Sequence, residues 1–407
     1  MFRIEPRKEP STLMLYATPL IAVALTILSG FVLFTLLGKD PVRATLLIFY
    51  KPLTSFYSLS ELIVKATPLI LIGAGLALCF RANIWNIGAE GQFTMGAVAG
   101  GAMALFLFEV EGFWVLPSIW IAGALGGMLW AAIPALLRNR FNANEILTSL
   151  MLVYVATLLL SVLVHGLLRD PQGQNFPESR LFHDAALMPI LLPGTRAHVG
   201  FAVALLAVLL TWALMRWHVI GFQIKVAGQA PRAARFAGFS GKKIVWFTFL
   251  VSGGLAGLAG VFEATGPVGQ LVPALPVGYG FTAIIVAFLG RLHPVGILLA
   301  GLLLALTYIG GEGAQIAMSL PAATIQVFQG MLLFYLLATD IFVNYRFRTA
   351  PMKTAPPSTP ASLPSRLPTC RLRWKRSDSR RPAWRDRQPA HRSNELFLLL
   401  HNDSFHL

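Results

Sequence analysis

The chain has 407 residues, 56% of them hydrophobic and only 13% charged, with a mean hydropathy of +0.66. Soluble domains carry about 25% charged residues, so this composition excludes an ordinary soluble domain and indicates a polytopic membrane protein. The net charge of +15 is uneven: residues 350–407 hold 11 Lys/Arg against 4 Asp/Glu, or +7, which leaves +8 for the rest. Basic cytoplasmic loops account for that +8, which disfavours nucleic-acid binding as the source of the high pI.

A membrane-spanning helix needs about 20 mostly apolar residues, and on that measure the sequence predicts ten spans. Residues 1–11 form a basic cytoplasmic N-terminus. The first span is Thr12–Gly38, 27 residues without a charge, too long for a signal-peptide core. An amphipathic stretch, 39–65, suits the interface, and the second span, Leu62–Phe80, has Lys65 placed to snorkel. The third is Phe93–Phe108 and the fourth Phe113–Leu137, whose Gly123, Gly126 and Gly127 let helices approach closely. The fifth, Leu147–Leu168, leads to a polar loop, 169–198, expected outside, and the sixth is Val199–Met215.

The loop 216–243 carries six positive charges and no acid, which marks it as cytoplasmic. The seventh span is Ile244–Phe262. The eighth, Leu271–Gly290, is interrupted by Pro273, Pro276, Gly278 and Gly280 and reads as a broken helix. The ninth is Pro294–Gly311 and the tenth Ala322–Thr339. An even number of spans puts both termini in the cytoplasm. Residues 348–407, rich in Pro and Arg and without apolar periodicity, read as a disordered tail behind a transmembrane domain, 12–347. The expected fold is therefore all-α and polytopic, with interrupted segments.

The richest polar stretch is Asn83-Ile84-Trp85-Asn86-Ile87-Gly88-Ala89-Glu90-Gly91-Gln92, set between two apolar runs. Irregular backbone inside a membrane survives only against protein or a watery cavity, and an acid there is by default a functional-site hypothesis. Asn83, Asn86, Glu90 and Gln92 are candidates to line a wet path; their alternative role is to cap broken helices. The stretch from Glu90 to Thr94 is faintly echoed by Gly278-Tyr279-Gly280-Phe281-Thr282, which points to two repeated halves and makes Tyr279 a further path candidate. Glu263 reads as a helix-end acid or a gate residue. No P-loop pattern, no His/Cys group with metal-ligand spacing and no nucleophile elbow occurs. The chain is therefore expected not to be an enzyme, and to hold no metal or cofactor of its own.

Four motifs in order carry a resemblance. They are Arg81 with the 83–92 stretch, Phe141-Asn142-Ala143-Asn144-Glu145-Ile146, Gly228-Gln229-Ala230-Pro231-Arg232-Ala233-Ala234-Arg235-Phe236-Ala237-Gly238, and Gly278-Tyr279-Gly280-Phe281 followed by Ala287–Arg291. On these the chain, over roughly Leu62–Asn344, resembles the membrane permeases of ATP-binding-cassette importers for branched-chain amino acids and simple sugars, nucleoside (simple sugar) type. Val153 departs from the pattern, which usually has Asn there.

The resemblance implies a bacterial plasma-membrane translocation path for a small polar solute, a nucleoside or a simple sugar. It implies two ATP-binding subunits carrying ATP and Mg, a second permease that is identical or paralogous, and an extracytoplasmic substrate-binding protein. It also implies that the 226–239 loop docks the ATPase. Composition agrees: Pro231 suits a first helical turn, Ala233 and Ala234 are small, Arg232 and Arg235 flank them, and Gly238 closes the turn. The alternative is an ion-driven secondary transporter with Glu90 or Glu263 as a proton site.

Overall fold

The structure is a computed structural model that describes residues 2–6, 12–173, 176–191, 193–321 and 323–349. The rest of the predicted tail lies outside the described residues. The described chain divides into a large unit, Pro6–Arg346, and a small one formed by its two ends. At those ends β1 (Phe2–Pro6) pairs with β2 (Tyr345–Thr349), a strand running two residues past the expected end of the permease domain.

The large unit is helical. Its first elements are α1 (Thr12–Leu36), the short α2 (Pro41–Phe49) and α3 (Lys51–Thr54), and then α4 (Phe56–Arg81) and α5 (Ala89–Phe106). There follow α6 (Val115–Phe141), α7 (Glu145–His165) and α8 (Gly200–Trp217), and then α9 (Val219–Gln229), α10 (Pro231–Phe236) and α11 (Gly241–Glu263). The last three are α12 (Tyr279–Leu289), α13 (Pro294–Met318) and α14 (Ala323–Asn344).

Among the described residues seven helices are long and apolar enough to cross a membrane, against the ten spans expected. Helices form at all ten places, but α5 and α12 fall short of the measure, and of α14 only the apolar stretch Gln326–Thr339 enters it. Small and polar residues dilute α5, whose sequence is AEGQFTMGAVAGGAMALF. The interruption is severe in α12: its 11 residues rise about 16 Å, half of a hydrocarbon core about 30 Å thick.

The centre of the unit is α4, whose apolar stretch is 89% buried, against 22–33% for α1, α6, α7 and α8. It lies against α11, α13, α12 and α8, while α11 in turn packs on α6 and α5. Glycine makes that last contact: a Cβ at Gly257 would sit 2.3 Å from the Gly123 carbonyl oxygen, and one at Gly127 would sit 2.1 Å from that of Gly253. In a bilayer such backbone contact, rather than apolar burial, drives association. The two asparagines of the second motif are caps. Asn142, at φ +53, ends α6, and the Asn144 side chain accepts from Ile146 N at the start of α7. Glu145 pairs with Arg138 at 2.5 Å.

The loop expected outside forms a strap over the far end of α11. There α11 passes into a π-helical turn, Ala264–Val268. Ser179 N donates to Leu271 O (2.9 Å), Phe182 N to Gly269 O (2.9 Å) and Met188 N to Thr265 O (3.0 Å). The strap's other end is tied to α4, which begins earlier than expected and so brings Glu61 into the helix. Arg196 donates to Glu61 through Nε (2.9 Å) and a terminal nitrogen (2.5 Å). This two-point contact with Glu61 holds the Arg196 guanidinium above its ordinary range.

Arg196→Ala leaves the Glu61 carboxylate, 5% exposed, without its partner. We expect a loss of about 1–3 kcal/mol in the thermal stability of the purified chain, with partial recovery in the exchanged pair Glu61→Arg/Arg196→Glu. An unchanged melting temperature in Arg196→Ala would contradict the strap.

Candidate functional site

The chain turns back into the protein at the end of α4. Asn83, exposed and left-handed at φ +54, makes the turn, and Ile84 N donates to Cys79 O at 2.9 Å. The segment then runs inward: Asn86 Nδ2 donates to the Ser252 hydroxyl at 3.1 Å, and Ser252 also backs onto Gly75, six residues inside the end of α4. Six helical residues rise about 9 Å, so α5 begins well inside the layer of helices.

Four of the five path candidates are buried and fall into two groups. Asn86 and Gln92 form a reciprocal amide pair, Nδ2 to Oε1 at 2.9 Å and Nε2 to Oδ1 at 3.0 Å. Asn86 Oδ1 also accepts from Gly88 N at 3.2 Å. Asn86 thus takes up one backbone N–H that the interruption leaves without a helical partner. The other group joins the two interrupted segments. The Glu90 carboxylate accepts from Gly278 N at 2.7 Å and Gly280 N at 2.5 Å, on either side of Tyr279. Gly278 stands at φ +91, and a Cβ on Gly280 would lie 2.3 Å from Glu90 N, so only glycine fits both places. Asn83 stands apart from both groups.

Tyr279 is fully buried, with its ring edge-on to Phe93 at 5.8 Å. Its hydroxyl donates to Glu263 Oε1 (3.2 Å) and accepts from Lys65 Nζ (2.9 Å). Lys65 therefore does not snorkel; it reaches across to the broken helix. It also stands 3.9 Å from Glu312, and beside them the Tyr308 and Thr282 hydroxyls meet at 2.9 Å. Sequence reasoning missed Glu61 and Glu312 because they fell just outside the predicted spans: the second was begun at Leu62 and the ninth ended at Gly311. A search for charges within one turn of a span end finds both.

On the other side of the chain, Pro231 opens α10, Gly238 at φ +79 closes it, and Phe239 N returns to Ala234 O at 2.9 Å. Pro231, Arg232, Ala233, Arg235 and Gly238 are exposed, whereas Ala234 is buried against the chain itself. The largest projecting group is Phe236, 93% exposed, which was not singled out in the sequence.

The family described as branched-chain amino acid transport system/permease component matches residues 58–337. The chain belongs to this family. It is 38% identical over 354 residues to the glucose ABC transporter permease protein TsgB13 of Haloferax volcanii, covering 84% of this chain and 93% of that protein. It is 29% identical over 326 residues to the guanosine ABC transporter permease protein NupP of Bacillus subtilis, 79% and 92% of the two chains. It is 27% identical over 303 residues to the nucleoside ABC transporter permease protein NupB of Lactococcus lactis, 72% and 83% of the two. The resemblance carried by the four motifs is thus borne out, as a permease of the sugar and nucleoside type.

Gly280→Ala in the permease forces α12 away from α5, because the added Cβ meets backbone rather than a movable side chain. The expected cost is about 1–3 kcal/mol in thermal stability. Gly241→Ala, where nothing lies within 4 Å of the added atom, is the matched control and stays at wild type. Equal melting temperatures for the two variants would contradict the Glu90–Gly280 contact.

Proposed function

We propose that the chain is the permease subunit of an ATP-binding-cassette importer and forms the path for a small polar solute, a simple sugar or a nucleoside. The observation that carries this reading is the near full-length match to the glucose permease, 93% of that protein at 38% identity. The solute arrives on an extracytoplasmic binding protein. A second permease completes the path, and two ATP-binding subunits, which hold ATP and Mg, drive it.

The proposed docking element for those subunits is the segment 226–239. Its support is physical. A six-residue helix with a proline start presents Pro231, Ala233 and Phe236 between Arg232 and Arg235 on a loop with no acid. An exposed phenylalanine on a short helix with two exposed arginines suits an apolar groove with an acidic rim, a helix-in-groove contact. Because Ala234 faces inward, Phe236 rather than Ala234 is the anchor in this reading.

Asn83, Asn86, Glu90, Gln92 and Tyr279 remain proposed path residues. The hydrogen bonds that occupy Asn86, Gln92 and Glu90 favour a role in shaping the wall. The ion-driven carrier is the competing mechanism, and it needs no ATPase.

Phe236→Asp removes an anchor of the kind worth about 2–4 kcal/mol in an interface, which is roughly 30- to 700-fold in affinity. We expect the ATPase to be lost on purification and ATP-dependent uptake to fall with it, while the permease stays inserted. Uptake at the wild-type rate without bound ATPase would overturn the reading in favour of the ion-driven carrier.

A further inference from the structure

The Lys65–Glu312 pair does not belong on a lipid-facing surface. Both residues lie in helices of spanning length, Lys65 nine residues from the start of α4 and Glu312 six from the end of α13. At 1.5 Å per residue they stand about 14 Å and 9 Å inside their helix ends. The Glu312 side chain is nevertheless 50% exposed and that of Lys65 is 21% exposed. Ile316, one turn further out on the same face of α13, is 84% exposed, so the apolar band continues beyond the carboxylate. Charges at such depth face protein or water, and they mark solute pathways.

The pair also has unused bonding capacity. At 3.9 Å its members are too far apart for a hydrogen bond, and a gap of that size is one a bridging hydroxyl or water fills. Lys65 spends one of its three donors on Tyr279, and Glu312 has no other polar partner among the described residues. Behind them the Tyr308 hydroxyl interacts with the Gln329 side chain. Gln329 is 6% exposed, so this polar contact is buried.

We propose that Lys65 and Glu312, backed by Tyr308, Thr282 and Gln329, form a subsite on the translocation path for the hydroxyl groups of a neutral polyhydroxylated ring. The carboxylate accepts from adjacent hydroxyls of the ring, and the ammonium donates to a neighbouring ring or hydroxyl oxygen. A hexose and the ribose of a nucleoside both present this pattern of hydroxyls. The inference rests on the permease reading above and deepens it by naming the contact groups.

The test uses the complete transporter in proteoliposomes, with its second permease, ATPase and binding protein, and radiolabelled D-glucose and guanosine as probes. Glu312→Gln is expected to lower uptake roughly tenfold or more, the loss of one charge-assisted hydrogen bond. ATPase retention and ATP hydrolysis stimulated by the binding protein should stay within about twofold of wild type. Glu312→Ala should behave in the same way.

The conservative variant Glu312→Asp, which leaves the Lys65–Tyr279 bond in place, separates recognition from support. It keeps the charge but draws the carboxylate back, so a merely structural charge pair is retained and wild-type uptake in Glu312→Asp would overturn the proposal, as would wild-type uptake in Glu312→Gln. Failure of Glu312→Gln to retain the ATPase would also overturn it, since the residue would then serve assembly. By contrast, uptake by the wild type without ATP would sink the importer reading alone. Transport of neither probe by the wild type would sink the proposed solute class and this subsite together.

Discussion

The architecture depends on one buried carboxylate. Glu90, at the first turn of α5, accepts the backbone N–H groups of Gly278 and Gly280 at the start of α12. A helix that begins inside a membrane leaves its first N–H groups without partners, and no water is there to take them. A carboxylate answers both needs. It accepts one N–H through each oxygen, at the positive end of the α12 dipole. The interruption in one half of the chain is thus supported by the interruption in the other.

From that clamp the polar interior follows. Gly278 and Gly280 flank Tyr279, so fixing them fixes the ring whose hydroxyl joins Lys65 to Glu263. Lys65 belongs to the central helix α4, and Glu263 ends α11 just before the π-helical turn that the strap covers. The strap is held in turn to α4 by Arg196 and Glu61. One connected set of polar contacts therefore links the broken helix, the central helix and the strap.

Much of this was legible in the sequence because hydrocarbon penalises polar groups so heavily. The Asn83–Gln92 stretch stood out as polar between apolar runs, and the Pro/Gly cluster before Tyr279 announced a broken helix. The short echo between Glu90–Thr94 and Gly278–Thr282 has a physical counterpart, since α5 and α12 both begin there and touch. The glycines of α6 declared a close approach that α11 fulfils. What the sequence could not supply was pairing at long range. Nothing local tells that Lys65 turns inward to Tyr279, 214 positions away, rather than outward to headgroups. Span ends drawn from hydropathy alone also hid Glu61 and Glu312, because a charge lowers the average that defines the end. Ala234 and Phe236 differ in exposure by the rotation of a single short helix, which composition does not determine.

The central claim is that Glu90 holds the start of α12, and amide hydrogen exchange at that start tests it most directly. Exchange should be followed over Gly278–Phe281 in the wild type and in Glu90→Ala, both in the assembled transporter. Losing these two hydrogen bonds should speed exchange roughly tenfold or more in this segment. Segments distant from it, such as the turn after α10 where Phe239 N donates to Ala234 O, should exchange at the wild-type rate. Equal exchange over Gly278–Phe281 in the two proteins would show that α12 is held by something other than Glu90, and would contradict the account.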